Sequence, residues 1–510
     1  MSQLDAPITH GRSLASRIEE RCDVVVVGAG ASGMTVATHL AEAGHDVIVL
    51  EEGPYIRRDD YQRFKPTESL RRLFREAGMV AALGVGQTPL ITLTLGRAVG
   101  GSSLLTGGVC FRIPGDVHDR WERDLGLDEL SEKALGSAYE DVERRMGVTE
   151  VPAAIRSRST DKFVEGARAM GVEMKAMRRN TGAECEGNAR CNFGCPAGAK
   201  RSVDISYMPS ALDRGARIVS DALVEGVIER GGRAVGVRGR LLGGRYGAPS
   251  TPFAIEAKAV VLCCGAIHTP GLLQRLGLRA EAIGRHITLH PAARVVARFR
   301  DRLNGWDGAL QSVYTDRYHP EGIWLNGVYS AVNVLAAGLP GVGPEFRERV
   351  TQMPHYGVFG AMVHDDGGGW VKSGMGREPA LFYRMAPRDL QRLRKSIRIL
   401  AEMALEGGAE EVIPPIFGMH SVRSTRDLER LEHDPLDPRR IECMAFHPLG
   451  SARMSSDARR GVVDPRGQSW ELPGLYVADG SILPTSVGVN SQIPIMTVAT
   501  HVAWGLREVL

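Results

Sequence analysis

The stretch from residue 22 to residue 53 constrains the fold of this chain more than any other part of the sequence. It reads CDVVVVGAGASGMTVATHLAEAGHDVIVLEEG and starts with an apolar run, 24–27, typical of a strand buried on both faces. A segment with one apolar helical face follows, and residues 46–50 supply a second buried strand. Three glycines between the first strand and the helix stand at GxGxxG spacing: Gly28, Gly30 and Gly33. The stretch therefore predicts a complete βαβ unit of a doubly wound α/β domain.

The glycine spacing favours a turn that binds the pyrophosphate of a dinucleotide. A side chain at Gly28 would block the tight turn, and one at Gly30 would hold the backbone away from a pyrophosphate at the helix N-terminus. Ser32 belongs to the same turn. Glu51, at the tip of the second strand, could accept a hydrogen bond from an adenosine ribose hydroxyl, and its charge disfavours a 2′-phosphate. The alternative is an α/β turn that binds no ligand.

Composition excludes several classes of protein. With 510 residues, 43% hydrophobic and 24% charged, the chain is an ordinary globular protein with room for about two or three domains. The net charge is only +3 and no Lys/Arg cluster alternates with aromatic residues, so we expect no binding to nucleic acid. The N-terminus lacks an apolar h-region and no long apolar run occurs. We expect a soluble cytoplasmic protein without membrane insertion.

A second glycine-rich segment, residues 96–114, reads GRAVGGSSLLTGGVCFRIP. Its backbone N–H groups and hydroxyls could donate hydrogen bonds to the same dinucleotide. The candidate cofactor-binding residues are Gly100, Gly101, Ser102 and Ser103.

A βαβ fingerprint followed by GRxxGGSS resembles the first signature of the glucose-methanol-choline (GMC) flavoprotein oxidoreductases. Members of that family usually carry Asn near the flavin where this chain has Thr106. Some members attach FAD covalently through a His of this loop, and the loop here has none. The resemblance therefore implies noncovalent FAD, with Thr106 among the residues near it.

Three of the eight cysteines lie in one loop, CEGNARCNFGCPAGAKRS, at C-x5-C-x3-C-P spacing: Cys185, Cys191 and Cys195. Three thiolates so close along the chain could wrap an iron–sulfur cluster. The spacing resembles that of bacterial FAD-dependent glucose dehydrogenases, in which three such cysteines hold a 3Fe–4S cluster. It is also similar to that of GMC alcohol oxidases with no established cluster. Two interpretations therefore stay open: a cluster, or a structural loop with a labile disulfide.

Two later segments extend the resemblance. Residues 258–277 predict a buried strand and a helix that begins near Thr269-Pro270, and they match the second GMC signature in part. Val224, on a predicted strand meander, is a further cofactor-binding candidate. The strand LYVAD ends at Asp479, where it and Gly480 could bind the ribityl or pyrophosphate region of FAD through nearby backbone groups.

The chemistry is expected near the C-terminus. The motif HPLGSARM begins at His447, and Asn490 follows later in the chain. In the GMC family the motif His and a second His or Asn face the flavin ring. The resemblance implies oxidation of a primary or secondary alcohol to a carbonyl by hydride transfer to flavin N5. In that reaction His447 is the base and Asn490 is its hydrogen-bond partner.

Alternatives to this function remain open at the level of sequence. One is a flavin-bearing lyase of the hydroxynitrile-lyase kind, and a second is a flavoprotein scaffold without catalysis. The electron acceptor is either O2, as in an alcohol oxidase, or a redox protein or quinone-like mediator, as in a dehydrogenase. No motif identifies the small-molecule alcohol.

The predicted architecture is α/β, with a discontinuous Rossmann-like FAD domain and a substrate domain built on an antiparallel sheet. Alternating segments between 290 and 440 predict that sheet, and residues 387–406 predict a long amphipathic helix. The predicted boundaries are 18–115, 196–289 and 441–510 for the FAD domain, 116–195 for covering helices and the cysteine-rich loop, and 290–440 for the substrate domain.

Overall fold

The computed structural model describes most of the chain and contains two large sheets. The described residues are 4, 6–14, 16–244, 247–329, 331–374, 377–419, 421–433 and 436–510. Throughout these ranges, every helix is too short or too polar to span a bilayer.

The strands, in chain order, are β1 (Ile8–His10), β2 (Ile18–Val27), β3 (Val47–Leu50), β4 (Val80–Gly84), β5 (Ile91–Leu93), β6 (Thr149–Glu150), β7 (Lys175–Ala176), β8 (Arg178–Arg179), β9 (Arg217–Ser220), β10 (Ala222–Arg230), β11 (Arg233–Leu241), β12 (Pro252–Leu262), β13 (Ala292–Phe299), β14 (Val313–Thr315), β15 (Ile323–Gly327), β16 (Tyr356–Val363), β17 (Gly368–Lys372), β18 (Ala380–Arg384), β19 (Ala409–Ile413), β20 (Cys443–Ala445) and β21 (Leu475–Val477).

The helices are α1 (Ala31–Glu42), α2 (Arg58–Tyr61), α3 (Pro66–Leu73), α4 (Gly115–Leu125), α5 (Glu132–Met146), α6 (Arg158–Ala169), α7 (Val203–Ser206), α8 (Met208–Asp213), α9 (Gly265–Arg275), α10 (Val332–Ala337), α11 (Pro344–Thr351), α12 (Pro387–Glu406), α13 (Thr425–His433) and α14 (Gln492–Arg507).

The first sheet contains the predicted βαβ unit as β2, α1 and β3. Its strand order is β1-β9-β3-β2-β12-β11-β10, and β21 pairs with β12 outside this path. The pairs from β1 to β12 are parallel, whereas β12, β11 and β10 form an antiparallel meander. All four residues of β3 are buried, as a strand covered on both faces requires. The doubly wound fold class predicted from the sequence is confirmed.

Strand β12 joins distant parts of this sheet. Along its length it is parallel to β2, and its last three residues are also parallel to β21. The carboxyl ends of β2, β12 and β21 therefore meet at one edge. In a doubly wound sheet this edge is where ligands bind.

Helix α9 begins earlier than the position near Thr269-Pro270 that was predicted from the proline. It starts at Gly265, and Pro270 lies inside it. Proline has no N–H to donate to the carbonyl four residues earlier, which belongs to Ala266. The hydroxyl of Ser451 donates to that oxygen instead, at 2.5 Å. A hydrogen bond from the HPLGSARM segment thus permits the proline within the helix.

The second sheet has the order β17-β18-β4-β5-β20-β13-β16-β15-β14-β7, with β19 paired to β13. The strands β13, β16 and β15 are antiparallel, as predicted. Helix α12 spans Pro387–Glu406, the predicted range, and packs its apolar face on this sheet. The sheet also takes β4, β5 and β20 from segments that the prediction assigned to the FAD domain. The sequence alone therefore did not show that these three strands belong to the second sheet.

We expect Ser451→Ala to lower the free energy of unfolding by about 1–3 kcal/mol, because it leaves the buried Ala266 carbonyl without its donor. In a Pro270→Ala background the new backbone N–H can bond the same carbonyl, so the loss should be smaller there. Urea midpoints of the four proteins of this double-mutant cycle measure the difference. Equal losses in both backgrounds would contradict the assignment.

Candidate active site

The carboxyl ends of β2, β12 and β21 border a cavity of about 620 Å³, within the usual size of cofactor and ligand sites. Most of the predicted site residues line it: Gly28, Gly30, Ser32, Glu51, Gly101, Ser102, Val224, His447, Asp479 and Gly480.

The glycine turns form one wall of this cavity. Gly28 has φ +105°, and a Cβ there would lie 2.3 Å from the Cys263 carbonyl oxygen. A Cβ on Gly101 would lie 2.7 Å from the Cα of Gly30, so the two glycine-rich loops touch through their backbones. Among the described residues other than its chain neighbours, the nearest atom to a Cβ on Gly30 would be the Cα of Gly101, at 3.9 Å. The backbone of this turn is therefore open to a ligand, as a pyrophosphate requires.

Gly33 has a packing role. A Cβ on Gly33 would lie 1.8 Å from the Gly28 carbonyl oxygen, so a side chain would separate α1 from the turn. Its place is consistent with the third glycine of a dinucleotide-binding turn, which allows close approach of helix and strand.

The carboxylate of Glu51 is fixed at the cavity wall. Its oxygens accept hydrogen bonds from the backbone N–H groups of Ala29 at 3.0 Å and Gly53 at 2.7 Å. Burial raises the pKa of Glu51, and the two hydrogen bonds oppose that rise. A carboxylate so held has lone pairs left for a hydroxyl donor.

The carboxylate of Asp479 is bonded within the protein. It accepts from the backbone N–H of Gly265 at 2.8 Å, from the Thr269 hydroxyl at 2.5 Å and from the backbone N–H of Ser481 at 2.8 Å. Burial raises the pKa of Asp479, against the effect of these hydrogen bonds. The side chain thus ties α9 to the turn after β21, and Gly480 presents backbone to the cavity.

Of the residues predicted to bind the cofactor, Gly33, Gly100, Ser103 and Thr106 do not line the cavity, and neither does the predicted catalytic residue Asn490. The Ser103 hydroxyl donates to the Gly100 carbonyl at 2.6 Å and accepts from the Val203 N–H at 3.2 Å. The Thr106 hydroxyl donates to the Ser103 carbonyl at 3.4 Å. Gly100, Ser103 and Thr106 therefore shape the loop from within.

The structure brings His447 and Asn490 together, although 43 residues separate them. The Asn490 Nδ2 and His447 Nε2 atoms lie 3.3 Å apart. Burial, with a smaller effect from His290, lowers the pKa of His447 to about 3. This value is lower than the near-neutral one that a catalytic base is expected to have, because the surrounding protein desolvates the imidazolium. The ring is therefore neutral, and one of its two nitrogens carries a lone pair.

Several buried polar atoms around His447 have no hydrogen-bond partner. Among the described residues, His447 Nδ1, Asn490 Oδ1 and both amide atoms of Gln492 are buried without a hydrogen-bond partner. Buried polar groups normally have partners, so such a group of atoms points to a polar ligand. An open glycine turn, a fixed carboxylate and these atoms together fit a dinucleotide cofactor.

Comparison with known proteins identifies the family. Sequence profiles described as GMC oxidoreductase match residues 22–292 and 377–499, more than half of the chain. The chain belongs to the GMC oxidoreductase family. These matches confirm the predicted family. Because proteins of this family are FAD-dependent, the chain is a flavoprotein oxidoreductase.

Individual relatives agree with this assignment. An uncharacterized GMC-type oxidoreductase of Mycobacterium tuberculosis is 36% identical over 501 residues, which cover 98% of this chain and 78% of that protein. A long-chain-alcohol oxidase of Arabidopsis thaliana is 29% identical over 518 residues, 94% of this chain and 66% of that protein.

Solved structures share the GMC fold. Formate oxidase of Aspergillus oryzae has a TM-score of 0.72 at 16% identity, over 96% of this chain and 98% of that one. Pyridoxine 4-oxidase from Mesorbium loti has a TM-score of 0.71 at 17% identity, over 96% of this chain and 99% of that one.

Sequence reasoning missed an ionic network at the rim of the GMC cavity. Arg75 contacts Glu52 at 3.0 Å and Glu378 at 2.8 Å, and Glu378 contacts the ring of His268 at 3.1 Å. Burial alone would raise the pKa of Glu378, but the hydrogen bond from His268 and the charge of Arg75 lower it to about 2. Glu378 is 303 residues from Arg75, and no local pattern marks the pair.

Of the two interpretations of the cysteine loop, the iron–sulfur cluster is not supported by the structure. All three cysteines are free thiols, and the described residues contain no group of three or more His, Cys, Asp or Glu placed to hold a metal ion. The sulfur of Cys191 accepts from the Arg179 guanidinium at 3.0 Å, and that of Cys195 accepts from the Lys200 N–H at 3.5 Å. Cys185 is half-buried. Neither a cluster nor a disulfide is supported.

The loop instead carries a buried lysine beneath the second glycine-rich segment. The Lys200 ammonium shares its three N–H donors among the carbonyl oxygens of Ser103, Leu104, Thr106 and Cys191, which lie 2.7–3.0 Å from Nζ. Burial lowers the pKa of Lys200 to about 8. One side chain thus holds together the cysteine loop and the segment that follows Gly101.

We expect Lys200→Met to reduce flavin occupancy severalfold, because it removes the donor shared by four buried carbonyl oxygens and loosens the loop beside the cavity. The ratio of flavin to protein absorbance after dialysis against FAD measures this. Lys133→Met, at an exposed position of α5, is the matched control and should keep full occupancy. Equal occupancy in the two variants would contradict a supporting role for Lys200.

Proposed function

We propose that this GMC oxidoreductase binds FAD noncovalently in the cavity and oxidises a primary or secondary alcohol to the carbonyl compound. The convergence of His447 and Asn490, with 3.3 Å between Nε2 and Nδ2, carries the proposal. Relatives named as a long-chain-alcohol oxidase and an oxygen-dependent choline dehydrogenase support an alcohol as the substrate.

The residues that line the cavity suggest how FAD is held. The turns at Gly30 and Gly101 are open to the pyrophosphate, and Ser32 and Ser102 offer hydroxyls beside them. The fixed carboxylate of Glu51 suits the adenosine ribose. The remaining candidates along the cavity are Val224, Asp479 and Gly480. When bound, FAD supplies the hydride acceptor, its N5 atom.

His447 and Asn490 have different roles toward the substrate. Transfer of the carbinol hydrogen as hydride becomes easier as the hydroxyl loses its proton, and the neutral Nε2 of His447 can accept that proton. The Nδ2 of Asn490 donates a hydrogen bond to the substrate oxygen and stabilises the negative charge that develops there. A substrate oxygen within reach of both groups would replace their mutual contact.

The names of two relatives, a long-chain-alcohol oxidase and an oxygen-dependent choline dehydrogenase, favour molecular oxygen as the electron acceptor. A redox protein or quinone-like mediator is the alternative acceptor. Measuring peroxide per alcohol consumed separates the two, because only the oxidase forms peroxide at each turnover.

We expect alcohols mixed anaerobically with the FAD-loaded protein to bleach the flavin, and His447→Ala to slow that bleaching by about 10²–10⁴-fold. Stopped-flow absorbance measures the rate. His319→Ala, on the surface of the second sheet's domain, is the control and should reduce its flavin at the wild-type rate. Substrate conversion with the flavin still oxidised would indicate a lyase instead, and an unchanged rate in His447→Ala would reject this histidine as the base.

The pH dependence follows from the lowered pKa of His447. A base with a pKa of about 3 stays neutral when the pH falls from about 8 to about 5.5, so the rate of flavin reduction should be nearly constant. A histidine at its ordinary pKa of about 6.5 would lose about tenfold over the same range. Stopped-flow reduction at saturating alcohol across this range distinguishes the two outcomes.

A further inference from the structure

A buried histidine outside the predicted set joins the two segments that carry His447 and Asn490. His290 is fully buried, and its Nδ1 lies 3.3 Å from the His447 carbonyl oxygen. Its Nε2 accepts from the backbone N–H groups of Val487 at 3.1 Å and Gly488 at 2.9 Å. Gly488 is two residues before Asn490. One imidazole therefore contacts the backbone of both segments.

These contacts fix the protonation state of the ring. Two backbone N–H groups can only donate, so Nε2 must be an unprotonated acceptor. The ring proton then lies on Nδ1 and is donated to the His447 carbonyl. The Ser486 hydroxyl, 3.0 Å from Nε2, also lies beside this nitrogen. Burial lowers the pKa of His290, which agrees with a neutral ring.

The backbone at His290 is itself held in an unusual conformation. Its φ is +53°, in the left-handed region that few residues adopt. The carboxylate of Asp365 accepts from the N–H groups of Leu289 at 2.7 Å and His290 at 3.3 Å. The Tyr383 hydroxyl donates to the same carboxylate at 2.5 Å. Strain of this kind persists where the surroundings determine it strongly, as they do at functional sites.

The loop that His290 binds has little room to move elsewhere. Gly488 has φ +70°, and a Cβ there would lie 3.0 Å from Nδ1 of His364. The segment before Asn490 is therefore enclosed between His290 and His364.

We propose that His290 is a positioning residue that sets the separation of His447 and Asn490 through their backbones. The inference rests on the proposed function, since the distance matters only if both side chains act on one substrate oxygen. Displacement of a reacting group by about 1 Å can lower a rate about 100-fold. The geometry thus assigns to a residue outside the cavity an effect on the rate within it.

Three substitutions separate the two hydrogen-bonding functions. His290→Gln keeps an acceptor near the Nε2 position, and His290→Asn keeps a donor near the Nδ1 position. His290→Ala removes both. Circular dichroism and flavin absorbance establish that each variant is folded and loaded before it is compared.

Amide hydrogen exchange tests the contact without any substrate. We expect the peptide that contains residues 486–490 to exchange at least about tenfold faster in His290→Ala than in the wild type, because two amides lose their acceptor. His290→Gln should keep most of the protection, and peptides from β10 should not change. Unchanged exchange at 486–490 in His290→Ala would overturn the inference.

Flavin reduction under anaerobic conditions tests the consequence. We expect His290→Ala to lower the limiting rate of reduction by about 10–100-fold with little change in the apparent dissociation constant of the alcohol, and His290→Gln to recover most of the rate. A His290→Ala rate equal to the wild type, or a His290→Gln rate no better than that of His290→Ala, rejects the positioning role. A wild-type flavin that no alcohol reduces rejects the proposed function first, and this role of His290 with it.

Discussion

The pairing of β12 with both β2 and β21 is the interaction on which the rest of the structure depends. It places a turn from the start of the chain, one from the middle and one from the end at the same edge of a sheet. Parallel strands bring their carboxyl ends together, so the three turns share one cavity. Helix α9 strengthens this arrangement, because its Ala266 carbonyl is bonded by Ser451 and its N-terminal turn by Asp479. The C-terminal segment that carries His447 is thus attached to the cofactor domain by side-chain hydrogen bonds as well as by strand pairing.

Local patterns predict those parts of the fold whose causes are local. The βαβ unit is visible because buried strands, an apolar helix face and glycine spacing all lie within 22–53. Helix α12 follows its period and its N-terminal proline closely. The predicted start of α9 was wrong for the opposite reason: Ser451, which donates to the Ala266 carbonyl in place of the N–H that Pro270 lacks, lies 185 positions from Ala266. The hydrogen bonds that the Asp479 carboxylate accepts from α9 and the ion pair of Arg75 with Glu378 also join residues that are far apart in the sequence, so no local pattern predicts them. Motif resemblance did predict that His447 and Asn490 meet, because a motif carries tertiary information that periodicity does not.

Hydrogen-bond satisfaction separates the structural from the chemical groups of the site. The buried carboxylates of Glu51 and Asp479 each accept two or more hydrogen bonds from the protein, and the buried Lys200 ammonium lies within hydrogen-bond distance of four carbonyl oxygens. These groups hold loops in place. By contrast, His447 and Asn490 each keep one buried polar atom without a partner among the described residues, and the neighbouring Gln492 keeps two. A buried polar atom without a hydrogen bond lowers the stability of the folded protein. A ligand that forms the missing hydrogen bond would explain why these atoms are retained.

The cysteine loop shows that cysteine spacing alone does not decide between a metal site and a structural loop. Close spacing along the chain brings thiols near one another, but it does not direct their sulfur atoms toward a common centre. Here the Cys191 and Cys195 sulfurs each face a donor, the Arg179 guanidinium and the Lys200 N–H. A metal site needs several deprotonated ligands directed toward one centre, whereas a hydrogen-bond acceptor only needs a donor at the right distance. The contacts of this loop are hydrogen bonds. Its tight turns also place the Lys200 ammonium beneath the segment that follows Gly101. The glycines that would allow the loop to wrap around a cluster also allow the turns that position Lys200. The sequence pattern alone therefore could not distinguish a cluster site from a structural loop.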